Sequence, residues 1–302
     1  MRRFVLCAAL ALGASCGPPP EPPPPPVKPP PPLPALPDLK PGEDQLKDDF
    51  IKLPDAGPST FGWDLKVGTL VTYLARQQSE MVLVASGNQQ SVELTYRTQW
   101  KGAVRIDGGG TRGDLLYFAT PLSQTINGHA VSSEELQKIS RIEARYQVKD
   151  TGEFSPCTIE RGQEHPRMEL FFALPRKELK EGERETKEIH LADAASQYHG
   201  RQEILHAGRR KVERFECTKL WSTVDLEIVP PGKQEDGLGR LVGIIAAYYD
   251  PKSMQFIRID AFLTMAVHSR YETSPTDPKM DRFWTLNRVK AESRITITRE
   301  GS

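Results

Sequence analysis

Apolar and polar residues alternate over long stretches of this chain, and a period of two leaves little room for anything but half-buried β-strand. Val92, Leu94, Tyr96, Thr98 and Trp100 fall on one face; Glu93, Thr95, Arg97, Gln99 and Lys101 fall on the other. Ile142, Ala144, Tyr146 and Val148 alternate with Glu143, Arg145, Gln147 and Lys149 in the same way. Near the C-terminus Ile257, Ile259, Ala261, Leu263, Met265 and Val267 are expected to line one face of a long strand, with Arg258, Asp260, Thr264 and His268 pointing mainly away. One dry face and one wet face is the pattern of antiparallel sheets. Turn residues punctuate the runs at Ser86-Gly87-Asn88, Asp107-Gly108-Gly109-Gly110, Asp150-Thr151-Gly152 and Asp250-Pro251-Lys252-Ser253, with a longer loop over 230–239. Ser132 with Glu135 forms a capping-box pattern opening a helix over 133–139, and a second short helix is expected over 192–198. The fold class is therefore mainly β: antiparallel twisted sheet or sheets, arranged as a sandwich or half-barrel, with one or two short helices.

The N-terminal segment has a different composition. Arg2 and Arg3 precede an apolar run over 4–12. That run suits a signal peptide and is too short for a bilayer span, which takes ~20 apolar residues. Gly13, Ala14 and Ser15 then lead to Cys16. This resembles a bacterial lipobox, in which the thiol receives a diacylglycerol and the peptidase cuts just before it. Gly13 and Ser15 also suit ordinary signal peptidase, so a plain secreted protein stays open. Residues 18–20, 22–26 and 29–32 are all proline. Proline fixes φ and removes the amide donor, which predicts a polyproline II spacer; residues 18–37 would reach roughly 60 Å. A ligand for proline-binding domains is the alternative. The expected organisation is a signal peptide over 1–15, a lipidated Cys16 with a proline-rich linker over 16–60, and a β-rich globular domain over 61–302, as one unit or two subdomains.

The 40 basic and 40 acidic side chains balance, and loss of Arg2 and Arg3 with the signal leaves a slight acidic excess. Nucleic acid, which calls for clustered Lys and Arg, is not an expected partner. The expected partners are a membrane, through the lipid on Cys16, and an envelope protein or cell-wall component. Gly17 stands where an Asp would retain a lipoprotein in the inner membrane of well-known Gram-negative systems, and by that resemblance the outer membrane is the expected address. Cys157 and Cys217 are the two thiols of the globular part. Export to an oxidising compartment favours a disulfide between them, and two separate buried thiols is the other reading.

No catalytic, cofactor or metal site is expected. His129, His165, His190, His199, His206 and His268 form no His-x-x-x-His pair, and there is no Cys-x-x-Cys. No Gly-x-Ser-x-Gly elbow, Ser-x-x-Lys or P-loop is present. The acidic pairs Asp48-Asp49 and Glu134-Glu135, and the group Glu181, Glu183 and Glu185, read as solvated charge, the last beside Lys177, Lys180, Arg184 and Lys187 on an edge strand. Arg209-Arg210-Lys211 reads as a solvated turn after Gly208.

The order of several short motifs resembles a group of bacterial β-rich lipoproteins and secreted domains of unknown function. A segment ends in a hairpin glycine, Gly152. Leu174-Pro175 and the turn Gly182-Glu183 follow, then Phe215-Glu216-Cys217, then Gly243, Tyr249 and Asp250 before a long closing hairpin. The likeness spans about residues 65–298, and it implies fold and envelope location without a reaction. Three functions follow as expectations. The first is a non-catalytic lipoprotein that binds or supports an envelope partner. The second is a carrier or sensor of an apolar, lipid-like ligand on a concave sheet. The third and weakest is a hydrolase with a dispersed site.

Overall fold

The computed structural model describes residues 30–301 apart from 88–89, 140, 156–157, 162–166, 193–195, 230–236 and 274–282. The expected signal peptide, Cys16, the first proline runs, Cys157 and His165 lie outside the described residues. The elements are β1 (Ile51–Leu53), β2 (Leu70–Gly87), β3 (Gln90–Gly108), β4 (Arg112–Ile126), β5 (His129–Ala130), α1 (Ser133–Lys138), β6 (Ile142–Lys149), β7 (Thr158–Arg161), α2 (Met168–Phe171), β8 (Arg184–Ala192), β9 (Gln197–Val212), β10 (Phe215–Val229), β11 (Gly237–Asp250), β12 (Gln255–Thr273) and β13 (Phe283–Arg299). A single 3-10 turn, Glu43–Gln45, precedes β1.

All thirteen described strands belong to one antiparallel sheet, in the order β1-β9-β10-β11-β12-β13-β2-β3-β4-β6-β7. β5 pairs with the end of β4, and β8 shares the outer edge of β9 with β1. Most neighbours are joined by hairpins. The exceptions are β1 beside β9, β4 beside β6 across β5 and α1, and β13 beside β2, the last of which brings the C-terminal strand into the middle of the sheet. That pairing joins two hairpin meanders into one sheet.

The sheet bends around its own core. Inward residues of β4 and β6 (Leu115, Tyr117, Tyr146, Val148) share one buried cluster with those of β9 and β10 (Ile204, Leu220, Val224), although these strands stand near opposite ends of the sheet order. The segment holding α2 lies between them and contributes Met168, Leu170, Phe171, Phe172 and Leu174. Edge-to-face aromatic contacts tie this plug to the sheet: Phe172 stands 5.3 Å from Tyr73 and 5.7 Å from Phe256. Burying each such ring contributes roughly 2–3 kcal/mol. The result is an open half-barrel with a filled lower half. At its base, residues 59–69 pass beneath the hairpin ends; Trp63 N–H donates to the Asp150 carbonyl at 2.7 Å and its ring packs on Phe172 and Phe256.

The capping box opens α1 as expected: Glu135 N–H donates to Ser132 Oγ while the Glu135 carboxylate accepts from Ser132 N–H. The helix expected over 192–198 is absent among the described residues there, because Ala192 closes β8 and Gln197 opens β9. Ile257 leaves the face expected for it. A bulge between Tyr248 and Tyr249 shifts the β11–β12 register, so Ile257 packs outward with Cys217 and Tyr248 while Ile259 and Ala261 turn inward.

Part of the stretch expected as linker, residues 30–53, makes contacts with the sheet. Residues 30–53 lie along the outer face of the sheet as a strap, running down β12. Arg270 donates to the Pro31 carbonyl, and His268 Nδ1 donates to the Pro34 carbonyl at 3.0 Å. Leu39 packs on Val242 and Ala266, Gly42 sits on the Phe262 ring, and Phe50 stacks edge-on with Tyr248 at 4.8 Å. The strap ends by adding β1 to β9, with Ile51 opposite Lys211. Apolar residues at Leu36, Leu39, Leu46 and Phe50 supply the surface that a free linker would not need.

Candidate functional site

Cross-strand register lays the concave face out in rungs. Ile259, Ile297, Ala75, Gly102 and Ala119 form one, and Ala261, Ile295, Gln77, Trp100 and Pro121 form the next. Both belong to the plugged lower half. The third rung turns polar on β13, β2, β3 and β4: Ser293, Ser79, Thr98 and Gln124 follow Leu263. These side chains bond to one another, Ser79 Oγ to Ser293 Oγ at 2.9 Å and Gln124 Nε2 to Thr98 Oγ1 at 3.1 Å. Beyond this belt the face becomes apolar again. One rung is Met265, Ala291, Met81, Tyr96 and Ile126; the next is Val267, Val289, Leu83 and Leu94. Every residue of these two rungs is only partly buried.

On β12 the usual pattern is reversed. Outward-facing Phe262, Thr264, Ala266 and His268 are buried, while inward-facing Leu263, Met265 and Val267 are partly exposed. The strap covers the convex side there, while on the concave side Leu263, Met265 and Val267 pack against the core only in part. A packed core has no need of an apolar ladder on the far side of a polar belt. The two upper rungs therefore form a half-open apolar trough on β12, β13, β2, β3 and β4, where the ionisable side chain among the rung residues named is Tyr96; across β11 and β10 the Val267 rung continues through Gly239 and Ile228 to Tyr198. A recess lined by Ala75, Gln77, Trp100, Tyr117, Met168 and Ile295 lies at its floor, where the plug meets the sheet.

The plug carries polar groups of its own. Gln202 Nε2 donates to the Leu170 carbonyl at 2.9 Å, and Arg167 stacks 4.2 Å over the Tyr198 ring. Glu169 Oε2 and Gln202 Oε1 are shut off from solvent with no hydrogen-bond partner among the described residues. Burial pushes the Glu169 carboxyl up to about 7, against the opposing pull of a backbone N–H and of the Arg167 charge.

The residues singled out from sequence are dispersed. Cys217 is a free, fully buried thiol in a small outward cluster with Val212, Ala246, Tyr248 and Ile257; burial raises its pKa to about 12, so it packs as an apolar residue. The acidic pairs serve local structure. Asp48 holds the strap, Glu135 caps α1, Glu185 accepts from the N–H groups of Arg176 and Lys177, and Glu181 pairs with Lys52 at 3.4 Å. Arg209, Arg210 and Lys211 are not in a turn: they run within β9, and the hairpin falls at residues 213–214. Gly208, at φ 83°, sits where the β9–β10 register shifts, with the Glu181 carboxylate against it.

Two histidine arrangements were not legible in the spacing. His190 and His199 face each other across β8 and β9, with Nδ1 atoms 3.2 Å apart. His206 is fully buried beside Ser59, Nε2 to Oγ 3.2 Å, and Ser59 Oγ lies 3.2 Å from Thr218 Oγ1. Gly208 N–H donates to His206 Nδ1 at 3.3 Å, which places the ring proton on Nε2. The ring thus donates to Ser59, whereas activation of a serine needs the opposite tautomer. Burial lowers the His206 pKa. Among the described residues no group of three or more His, Cys, Asp or Glu side chains is placed to hold a metal ion. Nor is any helix among them long and apolar enough to cross a membrane.

No family model matches the chain, and no curated protein matches it. Among solved structures it is similar to a DUF1329 family protein from Desulfovibrio piger, with 13% identity over 71% of this chain and 83% of that chain. The TM-score is 0.12, and at that value the likeness carries no argument about fold or function.

Proposed function

We propose that the chain is an envelope lipoprotein, tethered through a lipid on Cys16 and facing the periplasm or cell surface from the outer membrane. In this reading its half-barrel is a non-catalytic binding domain for an apolar, acyl-chain ligand. The observation that carries the ligand class is the pair of half-open apolar rungs above the Ser293–Ser79–Thr98–Gln124 belt. Half-exposed apolar side chains gathered on one concave face are the kind of lining that ligand sites use. An acyl chain suits it because the rungs offer contact area and almost no polar anchor. An envelope protein or cell-wall partner is the competing occupant. Native mass spectrometry of the full chain purified from its own envelope distinguishes the two. A co-purifying lipid that is lost from Leu83→Glu and Val289→Glu supports this reading. A polypeptide in its place, or identical empty spectra for all three proteins, overturns it.

A further inference from the structure

The strap decides where the tether leaves the domain, and so which end of the trough meets the membrane. Its contacts descend β12 in order: Pro31 at Arg270, Pro34 at His268, Leu39 at Ala266, Gly42 at Phe262, and Phe50 at Arg258. Arg270 lies beyond both upper apolar rungs, at the open end. The strap's foot lies at the closed end, where Asp48 binds Lys219 at 2.7 Å and Arg210 at 2.9 Å and β1 pairs with β9. The chain thus enters the fold at the mouth of the trough and not at its base.

We infer that the mouth of the trough faces the membrane that holds the anchor, so that the domain's partner at this end is the lipid surface itself. This rests on the proposed anchor at Cys16 and not on the trough's ligand. From Cys16 to Pro30 there are fourteen peptide units, which reach at most roughly 50 Å fully extended. From Arg270 down β12 to Gln255 at the base, strand geometry gives on the order of 50 Å more. The mouth can rest on the bilayer at any extension of the tether. The base can do so only with the tether pulled nearly straight back along the domain, which forfeits chain entropy. Surface composition does not separate the ends: Val92 and Tyr271 are exposed near the mouth, and Val67, Leu70 and Met254 near the base. The position of the tether root does.

The test uses the full lipidated chain in phosphatidylcholine–phosphatidylglycerol vesicles doped with doxyl-labelled lipid. A fluorescent non-canonical amino acid is placed at Val92, by the mouth, or at Val67, at the base. Flotation with the vesicles first checks the anchor; a chain that does not float defeats both the anchor and this inference. In chains that float, severalfold stronger quenching at Val92 than at Val67 is expected. Equal quenching, stronger quenching at Val67, or none at either site overturns the inference. Releasing the strap with Asp48→Ala and Ile51→Pro together, in a protein whose circular dichroism shows the sheet intact, is expected to erase the difference. A mouth preference that survives release would overturn the strap's part in it.

Discussion

Glu169 stands in a four-residue helix inside the concave face, with one carboxylate oxygen that meets neither solvent nor a donor among the described residues. Its carboxyl, raised to about 7, remains protonated in the native state at pH values where the unfolded chain has already released the proton. The folded state therefore binds more protons between about pH 4.5 and 7, and stability falls as pH rises through that window. Above pH 7 the cost is complete, on the order of 2 kcal/mol once relaxation and partial hydration are allowed for. Glu169→Gln keeps the shape and removes the titration. Thermal melts are expected to place the variant level with the native chain at pH 4 and above it at pH 8. Parallel melting profiles across that range would show that the carboxyl finds a partner or water. The same scale explains what spacing hides. His206 and Ser59 are 147 positions apart and meet only because the strap's continuation folds under the base.

At the scale of elements, the strap is the part that local sequence describes least well. Proline and charge make residues 30–53 resemble a linker, yet Asp48 is held by two nearly buried cations. Lys219 and Arg210 side chains are 6% and 12% exposed. Burial alone would raise the Asp48 pKa, but hydrogen bonds from Lys219 and Arg210 outweigh it and hold the carboxyl below its ordinary value. The contribution is present above the unfolded pKa of about 3.9 and is lost as pH falls through the lower folded value. Asp48→Asn leaves two buried cations without their counter-charge and is expected to cost about 2–4 kcal/mol at pH 7. Urea denaturation at pH 7 and at pH 3 checks this: the gap between native and variant should narrow at the lower pH. A variant as stable as the native chain at pH 7 would mean that the strap docks without the ion pair. Alternation, in contrast, predicts β3, β6 and most of β12 directly, since each side chain's face follows from its parity. It fails at Ile257 because a bulge changes parity, and nothing in the local pattern announces a bulge that depends on the partner strand.

At the scale of the whole molecule, the proposed arrangement is an anchor, a short tether, a strap and a trough in line. Cys16→Ser is expected to release the protein from membranes that retain the native chain through a high-salt wash. Retention of the variant would place the anchor elsewhere. The sequence alone determined that the domain is antiparallel β with one capped helix, because period two, turn residues and the Ser132–Glu135 box are local signals. It also set apart an N-terminus with a basic pair, a short apolar run and proline tracts. Only the tertiary structure decided that β13 inserts beside β2 to make one sheet, that residues 168–174 fill half of its hollow, and that a polar belt on β13, β2, β3 and β4 interrupts the apolar concave face. The physical reason is that alternation specifies that a face is apolar, not what will cover it. Met81 and Leu83 obey the same parity rule as Tyr73 and Ala75 on the same strand. Whether such a residue ends in a packed core or an open trough depends on where segments distant in sequence come to lie.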